Sequence, residues 1–511
     1  MQEPDASAEL SWSAADRPAP DDLPGPLTVT DTATDGPTST RLPETAEPPL
    51  AVDLDGTLVR TDLLVESLLL LLKRQPLHLF AALLWWLRGG RANLKAQLAQ
   101  RVMPDPLTLP YRRCVLEHLR QARATGRRVV LATGADAGLA ARVAAHLGLF
   151  EAVLASDGQT NLTGSRKRSR LVDEFGEQGF DYLGDGDHDH AVRRSARISL
   201  VVGRRPDPDP RVQWLQDPDA GSARDLLREL RMHQWVKNVL VFVPLLASHR
   251  IVEPEHLAVA ALAFAAFGLC ASSVYVLNDL MDLGADRRHP SKRHRPLASG
   301  KVSMAAALTI IPVLLVGALL IGLLLPWGFM ALLALYFLVN VAYSLRLKSV
   351  VILDVLVLAT LYTLRIAAGS AAVDIWPSTW LLAFSMFAFL SLALVKRYAE
   401  LMTMRAVDGP TARARGYRLD DAELLSSLGG GAGYLSVLVL ALYIDSASGQ
   451  ALYRTPELLW GICPLLLYWD SYLWLMAHRG LMHDDPLVFA QRDKVSRILL
   501  VLMVVVWIIA M

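Results

Sequence analysis

From about Arg231 to Met511 the chain repeats one pattern, a long apolar stretch closed by a short polar turn. About nine such stretches are long enough, or nearly so, to cross a bilayer. They centre near residues 242, 266, 315, 335, 360, 387, 438, 465 and 503, and the short run 239–247 is the weakest. Lipid offers the backbone no hydrogen-bond partner, so each stretch must satisfy its own peptide groups as a helix. Residues 228–511 are therefore expected to form an all-α polytopic membrane domain. Composition agrees: the chain is 53% hydrophobic, with a mean hydropathy of +0.31. Basic residues gather at 287–301, at Arg346 and Lys348, at 396–418 and at 478–497, while the turns near 250, 326, 374 and 449 hold few. The positive-inside rule makes the basic loops cytoplasmic in a multi-pass protein of the cell membrane.

The front half reads differently. Residues 1–48 are rich in Pro, Asp, Thr and Ser and are expected to be disordered, since they cannot bury enough surface to offset ordering entropy. Over 49–205, β-branched runs at 50–55, 128–132, 152–154, 181–183 and 198–202 alternate with helical patterns, which predicts a doubly wound α/β domain. It precedes the first span and so falls on the cytoplasmic side. The Pro206–Pro210 run opens an expected linker over 206–227. The apolar segment 63–87 is interrupted by Glu66, Lys73, Arg74 and His78 and divided by Pro76, so two amphipathic helices at the membrane surface are expected rather than a span. The three cysteines, Cys114, Cys270 and Cys463, lie far apart and read as packing residues. No charged segment followed by a short apolar one opens the chain, which argues against a cleaved signal peptide.

Two acidic patterns carry chemistry. Asp53 and Asp55 stand two apart just after a predicted buried strand, at its C-terminal end. In the membrane half, Asp279, Asp282 and Asp286 fall on one face if the helix before them continues, with Asn278 beside them. Three carboxylates on one face repel unless a cation joins them, and oxygen ligands suit Mg²⁺, which usually arrives with a phosphate-bearing substrate. Arg287, Arg288, Lys292, Arg293, Arg295 and Lys301 follow at once, a set suited to phosphate oxygens. A solvated charged loop is the plainer alternative. Nucleic acid is not an expected partner, because the basic clusters lack interleaved aromatics for stacking.

The stretch Val52-Asp53-Leu54-Asp55-Gly56-Thr57-Leu58 resembles the first motif of the haloacid dehalogenase superfamily, with later motifs following in order. That resemblance implies an aspartyl-phosphate formed on Asp53. It makes Asp55 the general acid and base. Thr133 would hydrogen-bond the phosphoryl group, and Lys167, or its neighbour Arg166 or Arg168, would neutralise it. Asp185 and Asp189, with Asp53, would hold Mg²⁺, and residues 63–110 would be a helical cap. A degenerate scaffold that docks a partner is the non-enzymatic alternative.

The pattern Asn278-Asp279-Leu280-Met281-Asp282 with Asp286 and Arg287 resembles the first Asp-rich motif of the UbiA superfamily. The run His289–Gly300, and Tyr343 and Ser344 with Lys348 and Asp354, resemble that family too. A second Asp-rich motif is replaced by Lys396-Arg397-Tyr398-Ala399-Glu400. Together with Arg231–Asn238 and His483–Asp493, this is similar to the branch that uses phosphoribosyl pyrophosphate and a polyprenyl phosphate lipid, such as decaprenyl phosphate. The resemblance implies Mg²⁺ on Asn278, Asp279, Asp282 and Asp286. Lys237, Asn238, Arg287, Lys292, Arg293, Arg295, Tyr343, Lys348, Lys396 and Arg397 would serve substrate phosphates and ribose. Glu400 would bind metal or ribose hydroxyls, or simply pair with Lys396. Arg365, inside an apolar stretch, is a functional candidate by position or a partner for Asp354. If the front domain is a phosphatase, the fusion implies transfer followed by removal of the 5-phosphate. The alternative is a prenyl chain moved from a diphosphate to an aromatic acceptor. Oligomeric state is left open, a homo-oligomer included.

Overall fold

The computed structural model describes residues 47–186, 189–203, 211–408, 413–482 and 485–511. Outside them lie nearly all of the tail expected to be disordered, the Pro206–Pro210 run, Asp187 and His188 of the second acidic motif, and His483 and Asp484.

Six strands form one sheet: β1 (Leu50–Val52), β2 (Val129–Asp136), β3 (Ala152–Ser156), β4 (Asp181–Gly184), β5 (Ser199–Gly203) and β6 (Val212–Gln216). Their order is β3-β2-β1-β4-β5-β6, and every pair is parallel. Parallel sheets are covered on both faces, which is why the inner strands read as unbroken apolar runs. Around the sheet run α1 (Leu63–Arg74), α2 (His78–Ala99), α3 (Arg113–Ala124), α4 (Ala137–Leu147), α5 (Ser165–Phe175) and α6 (His190–Ser195). Leu50, Val52, Leu131 and Leu183 pack with Val115 and Leu119 of α3 and Leu139 and Val143 of α4. The alternate residues Ala51, Ala132 and Tyr182 pack with Leu171 of α5 and Val192 of α6. Strand order reverses at β1, and open α/β sheets bind ligands beyond the strand C-termini at such a point. Asp53 follows β1 directly.

The expected linker holds structure instead. β6 adds to the sheet edge beside β5, and α7 (Ala223–Glu229) begins with a reciprocal Ser222–Asp225 cap. The mixed sequence Val-Gln-Trp-Leu-Gln of β6 is only half buried, so it lacks the apolar signature that marks the inner strands. Its following residue Asp217 accepts from Arg60 at 2.6 Å and also pairs with Arg112.

Beyond α7 come a 3-10 segment (Met232–Phe242), α8 (Val243–Ala247), α9 (Pro254–Arg288), α10 (Met304–Gly322), α11 (Trp327–Leu345) and α12 (Leu353–Ala372). The chain continues through α13 (Thr379–Asp408), α14 (Ala422–Asp445), α15 (Ala447–Leu452), α16 (Ile462–His478), α17 (Pro486–Arg492) and α18 (Lys494–Ala510). Among the described residues seven helices are long and apolar enough to cross a membrane, namely α9 to α14 and α16, against the nine expected. The run near 242 fails because it breaks into 3-10 turns and a five-residue helix at Pro244. The stretch near 503 makes a helix of 17 residues, short of the roughly 20 a hydrocarbon core requires. The protein is thus a multi-pass helical membrane protein with a parallel α/β region ahead of its spans.

The two regions share a seam. Val65 and Leu69 of α1, with Leu226 and Leu230, pack against Val276, Leu280 and Leu283 of α9 and Met304 of α10. Gly300, at φ +74°, approaches so closely that a Cβ there would lie 2.5 Å from that of Arg60. Close helix packing also accounts for Gly429 and Gly433, where a Cβ would strike Trp474 and Asp470.

Candidate functional site

Two polar centres stand out. At the sheet's switch point, Asp53 is buried and its Oδ1 accepts from Lys167 Nζ at 2.8 Å. The same ammonium donates to Asp189 Oδ2 at 3.0 Å and to Tyr182 Oη at 3.1 Å, and Tyr182 in turn donates to Asp189. The phase of α5 turns Lys167 inward, whereas Arg166 is exposed and Arg168 bonds Ser195 and Glu177. Thr133 is fully buried on β2, and its Oγ1 accepts from the Ala135 amide. Asp55 accepts from the Leu63 amide at 2.9 Å. Asp185 lies against the Gly56 turn, 2.7 Å from where a Cβ would sit on that positive-φ glycine. The four expected positions and both later acids are thus near one crevice.

The electrostatics of this crevice follow from burial. Desolvation raises the Asp53 carboxyl above its ordinary range, with Lys167 opposing. Asp55 is pushed up to about 7 by burial and by the neighbouring Asp62. Burial also opposes charge on Lys167, but Asp53 and Asp189 outweigh it and raise its pKa. Sequence reasoning missed Lys95 of α2, which donates to Asn161 Oδ1 at 3.0 Å and to the Gly134 carbonyl. It lines a cavity with Asp55, Leu63, Ser67, Leu98 and Met103. No motif marks Lys95, because its place depends on how α2 folds over the sheet.

The second centre lies where α9 leaves the spans. Asp279 and Asp286 share Arg295, and Asp279 also pairs with Arg231. Asp282 receives Lys348 Nζ at 2.7 Å and Lys73 Nζ, from α1, at 2.9 Å. Asn278 Oδ1 accepts from Lys348 at 3.3 Å. Asp485 is gripped by Lys237 at 2.8 Å and Lys396 at 2.9 Å. Although burial opposes its charge, those two lysines hold its carboxyl well below the usual range.

Glu400 pairs with Arg397, with Arg415 at 3.6 Å and with Lys292 at 3.8 Å, not with Lys396. Arg415 also donates to Tyr343 Oη at 2.8 Å. Arg397 is fully buried on Asp354, which Tyr417 Oη also meets at 2.6 Å. Asp354 is therefore not the partner of Arg365. That guanidinium instead bonds Asn238 Oδ1 at 3.0 Å, Tyr336 Oη at 2.9 Å and the Leu361 carbonyl. Arg287 turns away from the acidic face to Glu66 of α1 at 2.7 Å, and Arg293 is exposed beside His294. Lys73, Arg231, Arg415 and Glu229 were not found from sequence. Burial and Asp279 push the Glu229 carboxyl up to about 8.

Among the described residues, no three Asp, Glu, His or Cys side chains converge as a closed metal cage. Mg²⁺ rarely uses one: it takes one or two carboxylates, waters and substrate phosphates. The oxygen donors Asn278, Asp279, Asp282 and Asp286, spaced along one helix amid phosphate-seeking bases, fit that mode. So do Asp53, Asp185 and Asp189, where a single lysine stands among the acids.

Residues 239–480 match the model of the UbiA prenyltransferase family. The chain is 37% identical over 458 residues to y4nM, an uncharacterized protein of Sinorhizobium fredii, covering 88% of each chain. It is 39% identical over 269 residues to the nodulation protein NoeC of Azorhizobium caulinodans, covering 52% of this chain and 86% of that one. Over 192 residues it is 38% identical to a decaprenyl-phosphate phosphoribosyltransferase of Mycolicibacterium smegmatis, covering 36% of this chain and 60% of that one.

Proposed function

The chain belongs to the UbiA prenyltransferase family through its membrane half, and from that premise we propose a two-step enzyme. The membrane half transfers 5-phosphoribose from phosphoribosyl pyrophosphate to a polyprenyl phosphate. The α/β half, read as a haloacid dehalogenase-like phosphatase on the same cytoplasmic face of the cell membrane, then removes the 5-phosphate.

The observation that carries the first step is the surplus of bases around the α9 acids. Lys237 and Lys396 meet at Asp485, and Lys292 and Arg415 meet at Glu400. Those cations, drawn from separate elements, suit substrates bearing several phosphates. The likeness to the mycobacterial-type phosphoribosyltransferase, partial in length, supports the donor. In the transfer, the bond from ribose C1 to the diphosphate breaks and one from C1 to a lipid phosphate oxygen forms, with diphosphate leaving. Asn278, Asp279, Asp282 and Asp286 in this half, and Asp53, Asp185 and Asp189 in the other, would hold Mg²⁺, which when bound offsets phosphate charge. Lys348 and Arg295, now on the acids, would turn to the phosphates once the acids are engaged. Arg365 positions Asn238 from behind.

In the second step an Asp53 oxygen attacks phosphorus, the ester P–O bond breaks, and Asp55 gives its proton to the departing ribose oxygen. Asp55 then takes a proton from water, which attacks the aspartyl-phosphate to release phosphate and restore Asp53. Lys167 orients Asp53 and meets the phosphoryl oxygens.

The test uses full-length protein in detergent with Mg²⁺, radiolabelled phosphoribosyl pyrophosphate and decaprenyl phosphate. Wild type should yield a labelled lipid without the 5-phosphate, and Asp53→Asn one that retains it. No labelled lipid from folded protein would overturn the donor assignment and direct attention to prenyl diphosphates with aromatic acceptors. Identical products from both proteins would overturn the phosphatase step.

A further inference from the structure

A helix that is apolar around its whole circumference is normally buried. The first half of α2 is apolar in this way, yet the described residues leave it open. Leu77 is 81% exposed, Phe80 78% and Leu87 64%, and Leu79, Leu83, Leu84 and Trp86 are exposed as well. Only its Ala82 side is covered, in a small cluster with Leu71, Leu94 and Leu98. From His78 to Arg88 the helix rises about 16 Å, far short of the roughly 30 Å needed to cross a bilayer core. It carries no Asp or Glu anywhere between His78 and Ala99, and its charges are Arg88, Arg91 and Lys95.

Its position narrows the occupant. The helix packs on α1, and α1 is seated on the spans through Val65 and Leu69, which share a cluster with Leu280 and Leu283 of α9 and Ile310 and Ile311 of α10. The exposed apolar surface is therefore tied to the helices that cross the membrane. We propose that residues 77–88 lie in the plane of that same bilayer, sunk to the headgroup boundary, with Arg88 and Arg91 facing anionic lipid phosphates.

Gly89 and Gly90 then break the helix, and Gly90, at φ +65° and ψ −158°, holds a conformation that is essentially reserved for glycine. Past this kink the same helix supplies Lys95, Leu98 and Ala99 to the Asp55 cavity. One element thus joins the lipid surface to the carboxylates, and the substrate class it fits is a phosphoester whose other end stays in the membrane. This last point rests on the phosphatase reading; the docking of residues 77–88 does not.

Full-length protein in nanodiscs containing phosphatidylglycerol, spin-labelled at Phe80→Cys or Leu84→Cys, tests the docking directly. Wild type labelled in parallel gives the background from Cys114, Cys270 and Cys463. Labels at 80 and 84 should collide with oxygen several-fold more than with a water-soluble nickel chelate, and a label at Arg170→Cys should show the reverse. Equal nickel access at all three positions would overturn the proposal. So would spin–spin broadening that grows with copies per disc, which would identify a second chain as the cover. For the coupled point, Phe80→Glu with Leu84→Glu should raise KM for a lipid-linked phosphomonoester about tenfold while leaving hydrolysis of p-nitrophenyl phosphate unchanged. Equal losses on both substrates would overturn the lipid-delivery role. Hydrolysis of neither by wild type would overturn the phosphatase reading and leave the collision result standing.

Discussion

The crevice at the sheet and the centre at the end of α9 both gather carboxylates, but they balance them in opposite ways. In the crevice Lys167 bridges Asp53 and Asp189, and Lys95 lines the Asp55 cavity without bonding that carboxylate, so the described acids outnumber the lysines. At the α9 end Asp279, Asp282, Asp485 and Glu400 each have at least two basic partners and Asp286 has one, with Glu229 beside Asp279 the exception. An acid-rich crevice favours a cation, and burial with Asp62 raises its Asp55 carboxyl to about 7. A base-rich centre favours anions and suits substrates with several phosphates. The difference teaches that two sets of Asp residues, alike in a sequence scan, are set for different tasks by what surrounds them.

The sharpest test of the acid-rich side is Asp55. Its carboxyl is held near 7, so it keeps a proton that it would lose at its ordinary value of 3.8. For the proposed phosphatase step, kcat should therefore fall along an alkaline limb centred no higher than about 7, and Asp55→Asn should lower kcat by about 10²–10⁴-fold and abolish the limb. A limb that persists in the variant would show that another group is the acid. The stability linkage has the same sign: the contribution from Asp55 is whole below pH 3.8 and is lost as pH rises through about 7.

Next in size is the Asp354–Arg397 pair, whose side chains are both fully buried. Asp354→Ala leaves Arg397 partly unpaired and should destabilise the membrane half by about 3–5 kcal/mol, read as detergent or thermal unfolding. If stability holds while the KM for the phosphoribosyl donor rises, Arg397 serves substrate and the base-rich centre has one more free cation than described.

The smallest effect is expected at the seam. Lys73 reaches Asp282 from the α/β half but is a third exposed and shares its carboxylate with Lys348. Lys73→Ala should change the Mg²⁺ concentration for half-maximal transfer by only about two- to fivefold. No change at all would mean that the two centres are balanced independently.

The sequence made some of this legible and hid the rest for physical reasons. Inner strands show themselves because both faces are buried, and so do the long spans, because lipid tolerates little else. β6 does not, since an edge strand needs only one covered side. Asp279, Asp282 and Asp286 announce a shared face by helical spacing alone. Arg295 and Lys348 are legible as phosphate-seeking bases, but their pairing with these acids is not. Arg231 and Lys73 come from elements distant in the chain, and single basic residues carry no period to follow. Lys167 could be separated from Arg166 and Arg168 only once the phase of α5 was known.

Asp217 has a consequence for dividing the molecule. Sitting just past β6, it fastens Arg60 to Arg112, and Arg112 also donates to the Gly56 carbonyl in the turn that carries Asp55. A front half cut at residue 205 would lose that clasp and bare the edge of β5 to other chains. The natural seam between the halves is therefore later than the proline run suggests, and any separable module must carry its chain beyond Asp217.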